Sequence, residues 1–290
     1  MGGRTLRLTA AAVFALILLT GFLSDTLDAM NWTCEGAALI RNFGSNNRGR
    51  PALGMVFGGY TEVLAVENGE VIFSRGMDDT ASRLPSPLGA WTAVDHGDGL
   101  ISIYCRYADE NRTFTQVEKS QPIASMGISG WSAQNGFYFV VYDRRDRRWI
   151  NPALIITPLR EVGPPQILSV ELRNAEGLPV QSRNLSQGRY TILVNATTSA
   201  VRETFLAPQR IVCSVNGAEA GSLNFEAISS RDGVLMVYRN GLVPARQIYA
   251  NFPSFETADV FLNRGQANLE VIVQDIAGNS RSVINRLIVN

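Results

Sequence analysis

Past its first 29 residues, the chain holds no stretch of roughly eleven or more residues with a helical hydrophobic period, and this constrains its fold more than any other feature. It holds instead short runs rich in β-branched and aromatic residues: Thr61–Val66, Glu70–Ser74, Leu100–Arg106, Phe137–Tyr142 and Leu154–Ile156. Clusters of Gly, Asn and Asp separate them, as turns require. Such a chain is expected to be all-β. Val71 and Phe73 should share one face of their strand, and Ile101 and Ile103 one face of theirs, as in a sheet that buries one side. Asn68-Gly69 and Asp98-Gly99 tolerate positive φ and suit hairpin turns.

A boundary is expected at Val162-Gly163-Pro164-Pro165, because a proline pair after a strand interrupts the ladder. Beyond it lie further strand-like runs at Ile167–Leu172, Gly188–Val194, Arg210–Val215, Val234–Tyr238, Leu269–Gln274 and Ser282–Val289. Asp275-Ile276-Ala277-Gly278-Asn279 is a turn sequence that would join the last two. "GRYTILV", followed far downstream by "LEVIVQDIAGNSRS", resembles bacterial immunoglobulin-like modules. The resemblance implies a β-sandwich over residues 165–290 and is silent on function.

The start of the chain reads as a targeting segment. Arg4 and Arg7 precede an uncharged, mostly apolar run from Leu8 to Leu23, and Leu27-Asp28-Ala29 offers a cleavage site. The run is short of the ~20 residues that span a bilayer. Residues 1–29 are therefore read as a signal peptide, or else a retained N-terminal anchor. Either places the remainder outside the cytoplasm, with membrane contact only if the segment is retained. Lys+Arg and Asp+Glu number 26 each, so no basic surplus points to nucleic acid. Cys34, Cys105 and Cys213 are odd in number, so at most one disulfide forms within the chain. A Cys34–Cys105 bridge inside the first domain and three buried thiols are both open.

Within residues 30–162, four pieces resemble lysostaphin/LytM-type zinc peptidoglycan endopeptidases, in the family's order. "TEVLAVENGEVIFS" (Thr61–Ser74) is similar to "G-T-P-V-x-A-x-x-D-G-x-V". "WTAVDHGDGLISIYCRYAD" (Trp91–Asp109) is similar to "V-x-I-x-H-G-x-G-x-x-T-x-Y-x-H-L". "VEKSQPIASMGISGWS" (Val117–Ser132) is similar to "V-x-x-G-x-x-I-x-x-x-G-x-T-G". "GFYFVVYDRRDRRWINP" (Gly136–Pro152) is similar to "H-L-H-F-E-V" followed by "V-N-P". The resemblance implies a LytM-type β-sheet domain.

It also implies where the chemistry would sit. Family enzymes hold one zinc with His, Asp and a second His, and two further histidines assist proton transfer. The "H-x-G-x-D" stretch is matched by Ala52-Leu53-Gly54-Met55-Val56, so Ala52 and Val56 stand at the first two ligand positions. Tyr138 stands at the third, and Gly136 and Arg106 stand at the helper histidines. Ala, Val and Gly offer no donor atom. The expectation is no zinc, no cofactor and no peptidase activity. A different metal site would have to recruit Asp95, Asp98 or Asp109, residue types that turns use for solvation. His96, the only histidine, keeps the family's "H-G-x-G" hairpin and is not a ligand there. Trp131 borders the family's substrate groove, so Trp131, His96 and Tyr104 are candidate groove contacts. Arg144, Arg145, Arg147 and Arg148, with Asp143 and Asp146, form a charged hairpin tip, read as a solvated turn.

Degenerate members of this family are regulators of other cell-wall hydrolases. The resemblance thus implies a non-catalytic envelope protein that binds peptidoglycan, a hydrolase or another envelope protein. An active metallopeptidase with an unusual site and an adhesin-like display protein are the alternatives.

Overall fold

The computed structural model describes residues 30–76, 86–108, 113–156, 163–198, 205–251 and 253–290. The expected targeting segment, Asp109 and Val162 lie outside them. Among the described residues no helix is long and apolar enough to cross a membrane. The fold is nearly all β.

Among the described residues ten strands precede residue 151: β1 Ala38–Arg41, β2 Met55–Gly58, β3 Glu62–Leu64, β4 Gly69–Arg75, β5 Ala90–Asp95, β6 Leu100–Tyr107, β7 Gln116–Val117, β8 Pro122–Ser125, β9 Gly136–Asp143 and β10 Arg148–Ile150. The main sheet runs β10-β9-β6-β5-β4-β7, with β2 pairing β9 and β1 pairing β2, while β3 and β8 pair separately. Its core face carries Phe57, Tyr104, Phe137 and Phe139, all essentially without exposed surface. Each of these aromatics buries enough apolar surface to contribute about 1.5–3 kcal/mol relative to exposure.

Two expectations fail here for local reasons. Leu154–Ile156 is not a strand. Pro152–Leu154 is a turn of 3-10 helix, because Pro152 opens it and the Asn151 side chain accepts from the Ala153 N–H at 3.1 Å. Phe73 does not share a buried face with Val71. A register shift between them breaks the alternation, and Phe73 instead stacks on Trp91 with ring centroids 4.4 Å apart, 46% exposed.

The second half comprises β11 Gln166–Arg173, β12 Pro179–Val180, β13 Asn184–Leu185, β14 Gly188–Thr197, β15 Arg210–Val215, β16 Ala218–Arg231, β17 Val234–Arg239, β18 Leu242–Pro244, β19 Phe255–Leu262, β20 Gly265–Gln274 and β21 Ser280–Val289, with a short helix at Ala245–Tyr249. One sheet orders β12-β11-β14-β19, and the other contains β13-β21-β20-β15-β16 with β17 and β18. Ile192, Val194 and Phe255 from the first sheet meet Ile211, Leu223, Phe225 and Val271 from the second in one apolar core, a two-layer sandwich. Asp275–Asn279 turns β20 into β21, with the Asp275 N–H donating to the Asn279 carbonyl.

The two halves share a sheet. β16 is long enough to take β15 along its first part and β10 along its second, where Ile150 faces Ala227 and Arg148 faces Ser229. Asn151 continues the join: its N–H donates to the Glu226 carbonyl at 2.8 Å and its side-chain amide to the Phe225 carbonyl at 3.1 Å. The loop between β1 and β2 makes a second join. Phe43, 1% exposed, packs into the sandwich core. Beside it, the Asn42 amide donates to the Ala207 carbonyl and accepts from the Ala207 N–H, at 2.7 and 2.9 Å.

Candidate functional site

Three of the positions matched to the zinc site, Val56, Tyr138 and Arg106, lie on the face of the first sheet opposite its core. Val56 on β2 pairs directly with Tyr138 on β9, and Arg41 on β1 pairs with Val56. Side chains alternate across a strand, so these three project away from the face of Phe57, Phe137 and Phe139. Arg106 joins them from β6. It is the extra residue of a bulge, where Ala90 pairs Tyr107 and Trp91 pairs Cys105, and its φ is +66°. Its guanidinium carbon lies 5.1 Å from the centroid of the Tyr138 ring, a cation–π contact.

Two glycines show how closely the backbone closes around this place. A Cβ on Gly136 would fall 2.0 Å from the Phe57 carbonyl oxygen, and one on Gly54 would fall 2.2 Å from the Phe139 carbonyl oxygen. No side chain fits at Gly136 on this backbone, so a histidine there would require the strands to move apart. Ala52 is buried in the loop before β2, its N–H donating to the Ser45 carbonyl at 2.8 Å.

The charge of the site is positive. Burial first, and then the like charge of Arg106, hold the Arg41 pKa below the usual guanidinium range. Burial pushes the Tyr138 phenol up, with Cys105 adding to the rise and Arg106, Arg41 and a hydrogen bond from the Leu53 backbone opposing it. A zinc ion does not fit these residues. Ala52 and Val56 supply no donor, Tyr138 resists ionisation, and the two nearest charged groups are cations that repel a dication. Among the described residues no group of three or more His, Cys, Asp or Glu side chains is placed to hold a metal. Asp95 accepts from the Gly97 N–H and faces Arg144 at 3.4 Å, and Asp98 occupies the hairpin turn at φ +50°.

The other candidates separate. Trp131 is 77% exposed, in the loop between β8 and β9. Tyr104 does not line a groove. It has no exposed surface, its ring packs on Phe139, and its hydroxyl accepts from the Val66 N–H at 2.9 Å. The aromatic ring is worth more in the core than on a rim. His96 is engaged at both nitrogens, Nδ1 with the Asn68 carbonyl and Nε2 with the Ser102 hydroxyl, each at 2.7 Å. A carbonyl only accepts, so Nδ1 carries the proton and Nε2 accepts from Ser102. Neither nitrogen is left for a ligand.

The cysteines form no Cys34–Cys105 bridge: all three are free thiols. Each is fully buried, and burial pushes Cys105 and Cys213 up to about 12 and Cys34 higher still. None is a reactive nucleophile. In the charged tip between β9 and β10, Arg148 pairs with Asp143 and Asp146, and Arg144 reaches Asp95 at the end of β5.

Arg41 escaped the sequence reading. Its role depends on β1 lying beside β2, and a four-residue strand carries too little pattern to show that.

The model of Peptidase family M23 matches residues 51–152, the segment holding β2 through β10 and this site. Residues 51–152 form an M23-type domain. A second family model, without a functional description, matches residues 164–290. No curated protein matches the sequence. Solved structures that resemble the chain include the catalytic domain of the prophage-encoded M23 protein EnpA from Enterococcus faecalis, 16% identical, covering 41% of this chain and 90% of that one with a TM-score of 0.34. The catalytic domain of lysostaphin from Staphylococcus simulans is 19% identical and covers 37% and 81%, with a TM-score of 0.32. The SpoIIQ–SpoIIIAH complex contains a chain 16% identical over 44% and 90%, with a TM-score of 0.36.

Proposed function

We propose that the protein is a non-catalytic component of the bacterial cell envelope, in which the M23-type domain keeps a groove and uses it to bind a fragment of peptidoglycan or an envelope partner. The observation that carries this reading is the replacement at the matched zinc positions: two side chains without donors, a buried tyrosine, a glycine where no side chain fits, and one arginine, with Arg41 beside them. Such a surface holds a ligand without activating water. The exposed Trp131 supports retained binding, since an indole on a groove rim stacks on sugar or peptide. The apolar run near the start and the family resemblance support export, with residues 1–29 removed or kept as an anchor. The two-layer arrangement beyond residue 165 is compatible with an immunoglobulin-like module, which would present the groove rather than perform chemistry.

The test joins elemental analysis of the purified protein, lacking the residues before Met30, to a peptidoglycan hydrolysis assay and co-sedimentation with insoluble peptidoglycan. The expected result is no stoichiometric zinc, no hydrolysis, and co-sedimentation that weakens in Trp131→Ala. One zinc per chain with hydrolysis would overturn the reading.

A further inference from the structure

We propose that the groove of the M23-type domain binds an oxyanion of its ligand, a carboxylate or a phosphate, between the guanidinium groups of Arg41 and Arg106. The inference rests on the groove-binding reading above and names the chemistry of what is bound.

Placement comes first. Arg41 stands beside Val56, Val56 beside Tyr138, and the Arg106 guanidinium lies over the Tyr138 ring. Two cations thus bracket one phenol, on the sheet face where the resemblance places a metal ion.

Partners come second. Arg144, Arg148, Arg173 and Arg239 each have a carboxylate within 3.4 Å. Among the described residues Arg41 and Arg106 have none. Arg41 is half-buried, so solvent screens its charge only in part. Two partly desolvated like charges without a counterion disfavour each other, and an anion between them removes that cost.

Backbone conformation comes third. Arg106 sits at φ +66°, a region that glycine enters far more readily than a residue with a Cβ. The bulge takes its side chain out of the strand's alternation and over Tyr138. The chain keeps an arginine in a conformation suited to glycine, as functional sites do when position matters more than local strain.

The guanidinium fork matches carboxylate and phosphate in two parallel hydrogen bonds, which a point charge does not offer. Exposed Tyr60, Ile128 and Trp131 lie on the segments that flank Gly58 and Gly136, and give the rest of the ligand an apolar rim.

The experiment is calorimetric titration of the full chain with N-acetyl-dialanine as free acid, with the same dipeptide as C-terminal amide, and with inorganic phosphate. The free acid is expected to bind, the amide roughly tenfold or more weakly, and Arg41→Gln and Arg106→Gly each to weaken the free acid by a similar factor. Arg106→Gly trades the Tyr138 and Pro87 contacts of the side chain for relief of the left-handed backbone, and a melting temperature within a few degrees of the parent shows that its loss of binding is not a loss of fold. Competition by phosphate supports one shared oxyanion site, and binding of phosphate without the free acid assigns the ligand to a phosphate source. If neither anion binds, or both variants bind like the parent, the proposal is overturned. Co-sedimentation with peptidoglycan separates the two claims. Retention by parent and variants alike leaves the groove reading standing without the oxyanion site, and anion binding without co-sedimentation leaves the oxyanion site without the wall ligand.

Discussion

The ring of His96 sits between the Asn68 carbonyl and the Ser102 hydroxyl. Burial lowers its pKa from 6.5, outweighing the Asn68 carbonyl and the nearby Glu67 and Asp95, which pull the other way. In the unfolded chain the ring takes up a proton near its ordinary value. Between that value and the lower folded one, the unfolded state therefore binds more protons. The contribution of His96 to stability is complete above pH 6.5 and declines as pH falls from there through the folded pKa. As the chain's only histidine, it owns that window. Denaturant unfolding from pH 7.5 to pH 5 should show stability falling in the wild type, and a flatter profile in His96→Gln. Parallel profiles would remove the assignment. The hairpin setting of this residue was legible in "H-G-D-G". Tyr104 was not, because its position in the family pattern says nothing of which face of β6 it occupies. Gly136 was legible as the position matched to a family histidine, but its collision distance to Phe57 exists only in the folded sheet.

At the scale of elements, the loop between β1 and β2 does two things at once. Its far end carries Ala52 and Gly54 to the candidate site, and its near end inserts Phe43 into the core of the sandwich. The position of the stretch matched to the family's ligand motif is thereby set partly by the second half of the chain. Phe43→Ala should cost about 3–5 kcal/mol, the range for truncating a buried phenylalanine. The measurement is urea unfolding of the variant against the parent. A change under 1 kcal/mol would mean that this loop is held by Asn42 and the Tyr249–Gly44 hydrogen bond without its aromatic anchor. The strands with dense β-branched composition, such as β6, β9, β14 and β20, stood out from the sequence. β16 did not. Its residues, AEAGSLNFEAISSR, are mostly small or polar, and what makes them a strand is pairing along both edges. The helix at Ala245–Tyr249 is too short to show a period, and packing of Ile248 and Tyr249 into the sandwich core holds it in place.

The whole molecule is stitched along β10 and β16, and this bears on what the second half is for. Two modules joined by a linker are expected to move and unfold independently. Here a ladder crosses from one to the other, Asn151 binds the backbone of Phe225 and Glu226, and Phe43 fills the opposite core. The "V-N-P" asparagine, read in sequence as a mark of the first domain, is the residue that ties it to the second. Opening either half exposes apolar surface and unpaired backbone of the other, so the full chain should unfold in one cooperative step. The chain carries native reporters for both sides. All four tryptophans lie before residue 150, and a Trp149→Phe background, which removes the one packed against the sandwich core, makes their fluorescence report on the first half. Cys213 is buried in the sandwich, and burial holds its thiol at about 12, so it reacts only once that half opens. Tryptophan fluorescence and the labelling of Cys213, followed across one urea series, should give coincident midpoints. Separated midpoints would make the join an ordinary contact between two halves that fold independently. Coincidence carries a further consequence: a fragment ending near residue 162 would leave Phe43 and the free edge of β10 exposed to solvent. Such a fragment should aggregate or stay unfolded, and binding assays on the candidate site would then require the intact chain.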